Sequence, residues 1–234
     1  MSDLISEQFQ RLLDTLSPTQ PWPALSESGF LDLLRSEEDG GANLSLEELL
    51  PLAVAAGGRT IGTPVLETMV ARLVAPDALA VADAEQVLAG AGVAAPQAKG
   101  LAATINAGLM LGALERLQQV TVDYALTRRQ FGREIGKFQA IQHQIAVMAE
   151  EVMAARLATE AAFTGAPLEV SALRAAVAKC RVGQAAQQTA AIAHAVHGAI
   201  GVSQEHLLHI LTGNLHRWRM AHGGEAYWAR QLGD

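Results

Sequence analysis

Residues 127–151 combine side-chain types that can hold a diphosphate group. Two adjacent arginines, Arg128 and Arg129, precede an aromatic residue, a glycine and a basic turn, and Gln139 and Gln142 then open a long apolar-periodic segment. Guanidinium groups carry fixed positive charge, and the backbone N–H groups at a helix start attract anions. From these residues alone, a phosphate-binding turn and a solvated basic turn between two helices are equally good interpretations.

Composition limits both the fold and the partner. Half of the 234 residues are hydrophobic, mainly Ala, Leu and Val, and only 4% are aromatic, which favours packed helices over sheets. The net charge of −7 argues against a nucleic-acid partner or an anionic membrane surface. The N-terminus lacks a signal-peptide pattern and no apolar stretch is long enough for a membrane span, so we expect a cytoplasmic protein.

Cysteine and histidine usage gives no metal site. Cys180 is the only cysteine, which excludes an intrachain disulfide and metal sites built on CxxC pairs. His206 and His209 are spaced i, i+3, but no pair of carboxylates accompanies them, so we predict no metal.

Apolar periodicity predicts an all-α fold. Ser45 and Glu48 have the spacing of a capping box. The predicted domains are an N-terminal helical subdomain over 1–75, a linker over 76–100 and an antiparallel four-helix bundle over 101–234. The predicted helices cover 3–16, 24–35, 45–56, 64–73, 101–129, 138–164, 168–197 and 204–219.

The order and spacing of several short motifs resemble the acyl-CoA dehydrogenase family. The N-terminal segment 22–64 is similar to the family's first helical domain. The C-terminal half carries R-x-Q-F-G…F-Q-x-x-Q at 128–142, HGAIG at 197–201 and GGEAYWARQLG at 223–233. Family members insert a β-barrel of roughly a hundred residues between the two helical domains. Since only residues 76–100 stand there, the resemblance implies that the middle barrel is absent.

The resemblance also assigns roles in binding FAD. It implies that Arg128 contacts the diphosphate, that Phe131 packs near the adenosine, and that Gln139 and Gln142 reach the cofactor from the next helix. A guanidinium suits a diphosphate because it offers a planar fork of donors and stays charged. In the family this turn serves the FAD of the neighbouring subunit, so we expect the cofactor to be shared across an interface.

The second cofactor segment departs from the family pattern. His197, Gly198 and Gly201 stand where glycines allow the backbone to approach the cofactor closely. However, Ala195 and Ala199 replace a glutamine and a glycine of the family motif. An interhelix turn that needs only Gly198 and Gly201 is an equally good interpretation.

The expected catalytic base is missing from both family positions. The reaction needs a carboxylate that removes the α-proton of the thioester. His222 stands at one family position and about Ala102 at the other. Glu225, three residues after His222, is the candidate catalytic residue, and an ion pair with Arg217 or Arg219 is its alternative role.

Three functions follow from these observations. The first is a subunit of a heterotetrameric, FAD-dependent acyl-CoA dehydrogenase that introduces an α,β double bond into a bulky, steroid-like acyl-CoA. A second dehydrogenase-like subunit would supply the β-domain and the base, and an electron-transfer acceptor would reoxidise the flavin. The second is a non-catalytic scaffold subunit of such an enzyme. The third is a self-sufficient homodimer that binds FAD or another nucleotide.

Overall fold

The computed structural model describes residues 2–17, 19–59, 63–203 and 206–233. Within these ranges the chain forms ten α-helices and one two-stranded antiparallel hairpin of β1 (Arg129–Gln130) and β2 (Arg133–Glu134). The helices are α1 (Ser2–Thr15), α2 (Trp22–Glu27), α3 (Leu46–Gly58), α4 (Val65–Ala71), α5 (Ala84–Gly90), α6 (Ala95–Thr127), α7 (Gln139–Ala162), α8 (Ala172–His197), α9 (Leu208–Met220) and α10 (Glu225–Gly233).

Helices α6 to α9 form the bundle, in which α8 packs against the other three. The buried face of α8 is built largely from alanine, including Ala178, Ala185 and Ala193. Small side chains allow helix axes to approach closely, and tight packing then stabilises the bundle through many short contacts. Every residue from 100 to 114 is buried, because this half of α6 lies between the bundle and the N-terminal helices.

Two glycines set the contact between α3 and α6. A Cβ atom added to Gly57 would lie 1.9 Å from the carbonyl oxygen of Leu109, and one added to Gly112 would lie 2.0 Å from that of Val54. The two helices therefore meet backbone to backbone at this crossing. This contact fixes the N-terminal helices against the bundle.

The N-terminal helices share one apolar core with the start of α6. Phe9, Leu25 and Leu49 are fully buried in this core together with Leu101 of α6. The predicted capping box is present, since the Ser45 hydroxyl accepts from the backbone N–H of Glu48 and the Glu48 carboxylate accepts from that of Ser45. None of the described helices combines the length and apolar character needed to cross a bilayer.

The all-α prediction is confirmed, and no β-barrel occurs among the described residues. The segment 76–100, predicted to be a linker with room for one helical turn or a short strand, contains all of α5 and the first residues of α6. Pro96 occupies the first turn of α6, where proline fits because that N–H has no helical partner. The division into domains at 75 and 100 stays a prediction.

Other helix limits also differ from the sequence prediction. The helix predicted over 24–35 ends at Glu27, because Gly29 adopts φ +75° and only a short 3-10 turn follows. The third long helix starts at Ala172 rather than at 168, and Ser171 caps it. The predicted start of the fourth long helix, Gln204, lies outside the described residues, and α10 was not predicted.

Candidate functional site

The hairpin between α6 and α7 presents Phe131 to solvent. Gln130 pairs with Arg133, so Phe131 and Gly132 form a two-residue loop, with φ values of +50° and +80°. Positive φ at both positions is the requirement of a type I′ turn, and a bulky aromatic side chain is strained there. Phe131 is 91% exposed, so packing within this chain does not compensate for the strain. Such outliers favour a functional explanation.

Charge pairing distinguishes the two adjacent arginines. Arg129 lies 2.8 Å from Glu134, and Lys137 lies 2.6 Å from the same carboxylate. The hydrogen bond from Lys137 helps to hold the pKa of Glu134 below its ordinary value. Arg128, at the C-terminal end of α6, is exposed and forms no ion pair with any residue in the described ranges. Its guanidinium is therefore available to an anionic ligand.

The N-terminus of α7 faces the same region and has no side-chain cap. A long helix without a cap leaves backbone N–H groups free to bind an anion. Gln139 is the first residue of α7 and is exposed. Gln142 donates from Nε2 to the carbonyl oxygen of Gly136 at 3.0 Å, which leaves its amide oxygen as an acceptor.

His197 ends α8 and is nearly buried. Its ring stacks on Tyr124 with centroids 4.3 Å apart, and burial lowers its pKa. Nδ1 lies 2.8 Å from the carbonyl oxygen of Ala193. A carbonyl can only accept, so Nδ1 carries the proton and the neutral ring has an acceptor at Nε2. No described residue donates a hydrogen bond to that buried Nε2.

The two glycines after His197 have different structural reasons. Gly198 adopts φ +63° and ψ −142°, a conformation that side chains disfavour. A Cβ atom on Gly201 would lie 2.7 Å from Cδ2 of Leu208, so packing against α9 requires this glycine. Gly198 therefore shapes the loop, whereas Gly201 serves the bundle.

One cavity joins the two motif segments, which are about sixty residues apart in sequence. This hairpin cavity has a volume of about 650 Å³. Residues 128–141 form one wall and residues 195–200 form the other, and Tyr124 closes one side. Gln139, Gln142 and Gly201 are not among its lining residues, whereas Ala195 and Ala199 are. The arrangement provides a free cation, an uncapped helix N-terminus, an exposed aromatic ring and a glycine turn around one space.

Comparison with known proteins shows the family of the chain. A model of the acyl-CoA dehydrogenase C-terminal domain matches residues 101–228. The chain belongs to the acyl-CoA dehydrogenase family. The acyl-CoA dehydrogenase IpdE2 of Mycobacterium tuberculosis is 38% identical over 115 residues, which are 49% of this chain and 35% of that protein. The chain thus matches about a third of the length of this curated relative.

Two solved structures resemble the whole chain in fold. A chain of the Tcur3481–Tcur3483 steroid ACAD superposes with a TM-score of 0.82 at 19% identity, covering 100% of this chain and 98% of that one. A chain of the ChsE4–ChsE5 complex from Mycobacterium tuberculosis superposes with a TM-score of 0.80 at 19% identity, covering 99% of this chain and 96% of that one. At this identity the likeness shows that an acyl-CoA dehydrogenase helical fold is present.

The structure places the candidate base Glu225 at the start of α10, in an ion pair with Nε of Arg219. A Cβ atom on Gly183 would meet the Glu225 carboxylate at 2.2 Å, so this side chain packs against α8. Glu225 lines none of the cavities described here. Its role as a base stays a prediction, and the ion pair with Arg219 is the alternative that the sequence suggested.

His222 lies in the turn between α9 and α10, with Nδ1 3.1 Å from Glu85. Asp83, Glu85 and His222 come within 4.8 Å of one another. These groups are already engaged, because Lys99 pairs with Glu85 at 3.2 Å and Asp83 caps α5. We assign no metal to this group.

A second cavity, which no sequence motif predicted, lies between α4 and α6 and has a volume of about 350 Å³. Glu67 lines this α4–α6 cavity together with Asn106, and His222 forms part of the opposite wall. Burial raises the pKa of Glu67 to about 7, although its own backbone N–H and Arg217 act in the opposite direction. In the sequence Glu67 is one acid in the first turn of a short helix, so no local pattern predicted its burial.

Proposed function

We propose that this chain is the small subunit of a heteromeric acyl-CoA dehydrogenase and holds the adenosine diphosphate end of FAD in the hairpin cavity. The observation that carries this proposal is that the segments 128–141 and 195–200 line one cavity. Neither segment is near the other in sequence, and both carry family cofactor motifs. The family membership supports the same cofactor.

The residues of the hairpin cavity fit the adenosine and diphosphate parts of FAD. Arg128 and the free N–H groups at the start of α7 would hold the diphosphate. Phe131 would stack on the adenine, which would also explain why an exposed aromatic side chain occupies a strained position. Gln139 and Gln142 would act from the next helix if the hairpin closes on the ligand. When bound, the flavin would accept the hydride from the β-carbon of the substrate.

The remaining parts of the enzyme would come from a partner subunit. The described residues form no barrel to cover the flavin ring. The family's base positions hold His222 and Ala102, and Glu225 is paired with Arg219. We therefore propose that the partner supplies the β-domain and the base. The similar folds in two-chain complexes support a heteromer.

The proposed substrate is a bulky, steroid-like acyl-CoA. One of the similar structures is a steroid ACAD, and the lack of a middle barrel in this chain leaves more room above the helical layer. An electron-transfer acceptor would reoxidise the flavin. These parts of the proposal depend on the complex and are tested with it.

The decisive experiment compares Arg128→Ala with Arg129→Ala in the complex with a candidate partner dehydrogenase. We expect Arg128→Ala to weaken flavin binding about 10- to 100-fold, as the loss of a charge-assisted hydrogen bond predicts. Arg129 is paired with Glu134, so Arg129→Ala should change flavin affinity by less than about threefold. Flavin absorbance after gel filtration measures both the complex and its cofactor content.

A scaffold subunit is the second candidate function, and the two alanines that line the hairpin cavity favour it. Ala195 and Ala199 remove an amide and a close backbone approach that the family motif provides. An intact complex with unchanged flavin content in Arg128→Ala would support the scaffold. A flavin spectrum from the chain purified alone would instead support the homodimer.

A further inference from the structure

The α4–α6 cavity is a separate space that the flavin proposal does not use. Its walls come from α4, α6 and the end of α9, and it shares no lining residue with the hairpin cavity. Val65, Leu66 and Leu109 are buried and give it apolar walls. Its volume of about 350 Å³ lies at the lower end of the range for small-ligand sites, about 300–1,000 Å³. The cavity therefore suits a small molecule with an apolar part.

An acid without a counter-charge lines this cavity. Glu67 is partly buried, and its carboxyl group forms no ion pair or hydrogen bond with the side chain of another described residue. Burial raises the pKa of Glu67 to about 7, because ionisation away from water is costly unless a cation or a donor compensates it. A ligand with an ammonium group would supply the missing positive charge.

A fixed amide donor lines the cavity from α6. Oδ1 of Asn106 accepts a hydrogen bond of 2.7 Å from Nζ of the buried Lys179. Lys179 is itself held by the carbonyl oxygens of Trp218 and Ala221, each at 3.0 Å. Because lysine can only donate, the amide oxygen of Asn106 faces Lys179 and its NH₂ group points the other way. This NH₂ group makes no hydrogen bond within the described part of the chain, so it can donate to an acceptor in the cavity.

A second donor, Arg217, is exposed and belongs to the same lining, so it lies where the cavity meets solvent. Its charge acts to lower the pKa of Glu67, yet the two side chains form no ion pair. Nη2 of Arg217 donates to Asn214 at 2.9 Å, which leaves other guanidinium N–H groups for an anion. His222, the other ionisable lining residue, contacts Glu85. Opposite charges thus border one apolar space without pairing.

We propose that the α4–α6 cavity binds a small apolar amino acid in its zwitterionic form. The ligand's ammonium group pairs with the Glu67 carboxylate, and its carboxylate accepts hydrogen bonds from Asn106 and Arg217. The apolar side chain packs against the buried leucines of the walls. An amine alone would leave the two donors unused, and an acid alone would meet the negative charge of Glu67. The zwitterion satisfies all three groups and adds no net charge.

Isothermal titration calorimetry at pH 8 with the full chain tests the proposal with L-leucine and two analogues. Isopentylamine lacks the carboxylate of leucine, and 4-methylpentanoate lacks the amine. We expect leucine to bind at least about 10-fold more tightly than either analogue, since each loses a charge-assisted interaction. Leucine affinity should also fall about 10-fold or more between pH 8 and pH 5.5, because Glu67 is then protonated.

Two variants assign the two ends of the ligand. Glu67→Gln should weaken leucine binding about 10- to 100-fold at pH 8, whereas 4-methylpentanoate should bind no more weakly than to wild type. Arg217→Ala should weaken leucine binding about 3- to 30-fold, because an exposed guanidinium contributes less than a buried one. The same variant should leave isopentylamine binding within about twofold, since that ligand has no carboxylate.

The matched controls are Glu150→Gln in α7 and Arg116→Ala in α6, which make the same changes at exposed positions and should leave leucine binding unchanged. Circular dichroism checks that each variant is folded, and the comparison of ligands needs only the wild-type chain. The proposal is overturned by the absence of saturable leucine binding up to about 10 mM, by equal affinities for leucine and an analogue, or by undiminished leucine binding in Glu67→Gln. None of these results bears on flavin binding, because the assay needs neither the partner nor the hairpin cavity.

Discussion

Replacing Glu67 by Gln should change the pH dependence of folding stability. The pKa of Glu67 is raised from its ordinary value of 4.5 to about 7 in the folded chain. Between these values the unfolded chain has lost the proton and the folded chain keeps it, so the free energy of unfolding falls as pH rises. Below pH 4.5 the carboxyl is protonated in both states, so its raised pKa does not destabilise the fold. Above about pH 7 it is ionised in both states, and the destabilisation stays constant.

The size of the effect follows from the difference between the two pKa values. One pKa unit corresponds to about 1.4 kcal/mol, so the ionised carboxyl destabilises the fold by up to about 3 kcal/mol at pH 8. At pH 5 the same relation leaves about 1 kcal/mol. Gln fills the same volume without a charge. Glu67→Gln should therefore be more stable than wild type by up to about 3 kcal/mol at pH 8 and by about 1 kcal/mol at pH 5.

Urea unfolding of both proteins at the two pH values measures this difference. Arg217 and His222 line the same cavity and are present in both proteins, so their own contributions largely cancel in the comparison. Glu150→Gln should shift the stability by less than about 0.5 kcal/mol at either pH. If Glu67→Gln and wild type keep the same stability difference at pH 5 and pH 8, the buried carboxyl does not have the raised pKa on which the reasoning depends.

Three further predictions concern the packing and the hairpin, and urea unfolding measures each free energy. Phe131→Asn should stabilise the chain by about 1 kcal/mol, because asparagine tolerates positive φ, and should weaken flavin binding in the complex. Gly112→Ala should destabilise by about 2 kcal/mol or more, since its Cβ meets the Val54 carbonyl. Gly213→Ala, in α9 with open space around it, should instead stabilise by about 0.5–1 kcal/mol. Lys179→Met should destabilise by about 3 kcal/mol, because it leaves the Asn106 oxygen and buried carbonyls without a donor; a loss under about 1 kcal/mol would contradict this.

The sequence by itself determined the helical fold and the location of the cofactor motifs. Helical periodicity depends on residues three and four apart, and caps such as Ser45 with Glu48 depend on residues three apart, so both can be recognised locally. The spacing of the arginine, phenylalanine and glutamines after α6 identified a family on similar grounds. Local patterns revealed less helix than is present at 76–100, where proline and glycine suggested a linker with one helical turn or a short strand. There α6 begins with Pro96 in its first turn, and Gly100 is buried within the helix.

Only the tertiary structure decided which residues share a cavity and which charges are paired. It brought His197 and Gly198 to the hairpin, separated Arg128 from the paired Arg129, and placed Glu225 on Arg219. It also gave Glu67 an apolar cavity and a raised pKa. Burial and charge pairing depend on side chains brought together from distant parts of the chain. Local sequence patterns therefore do not predict burial or charge pairing.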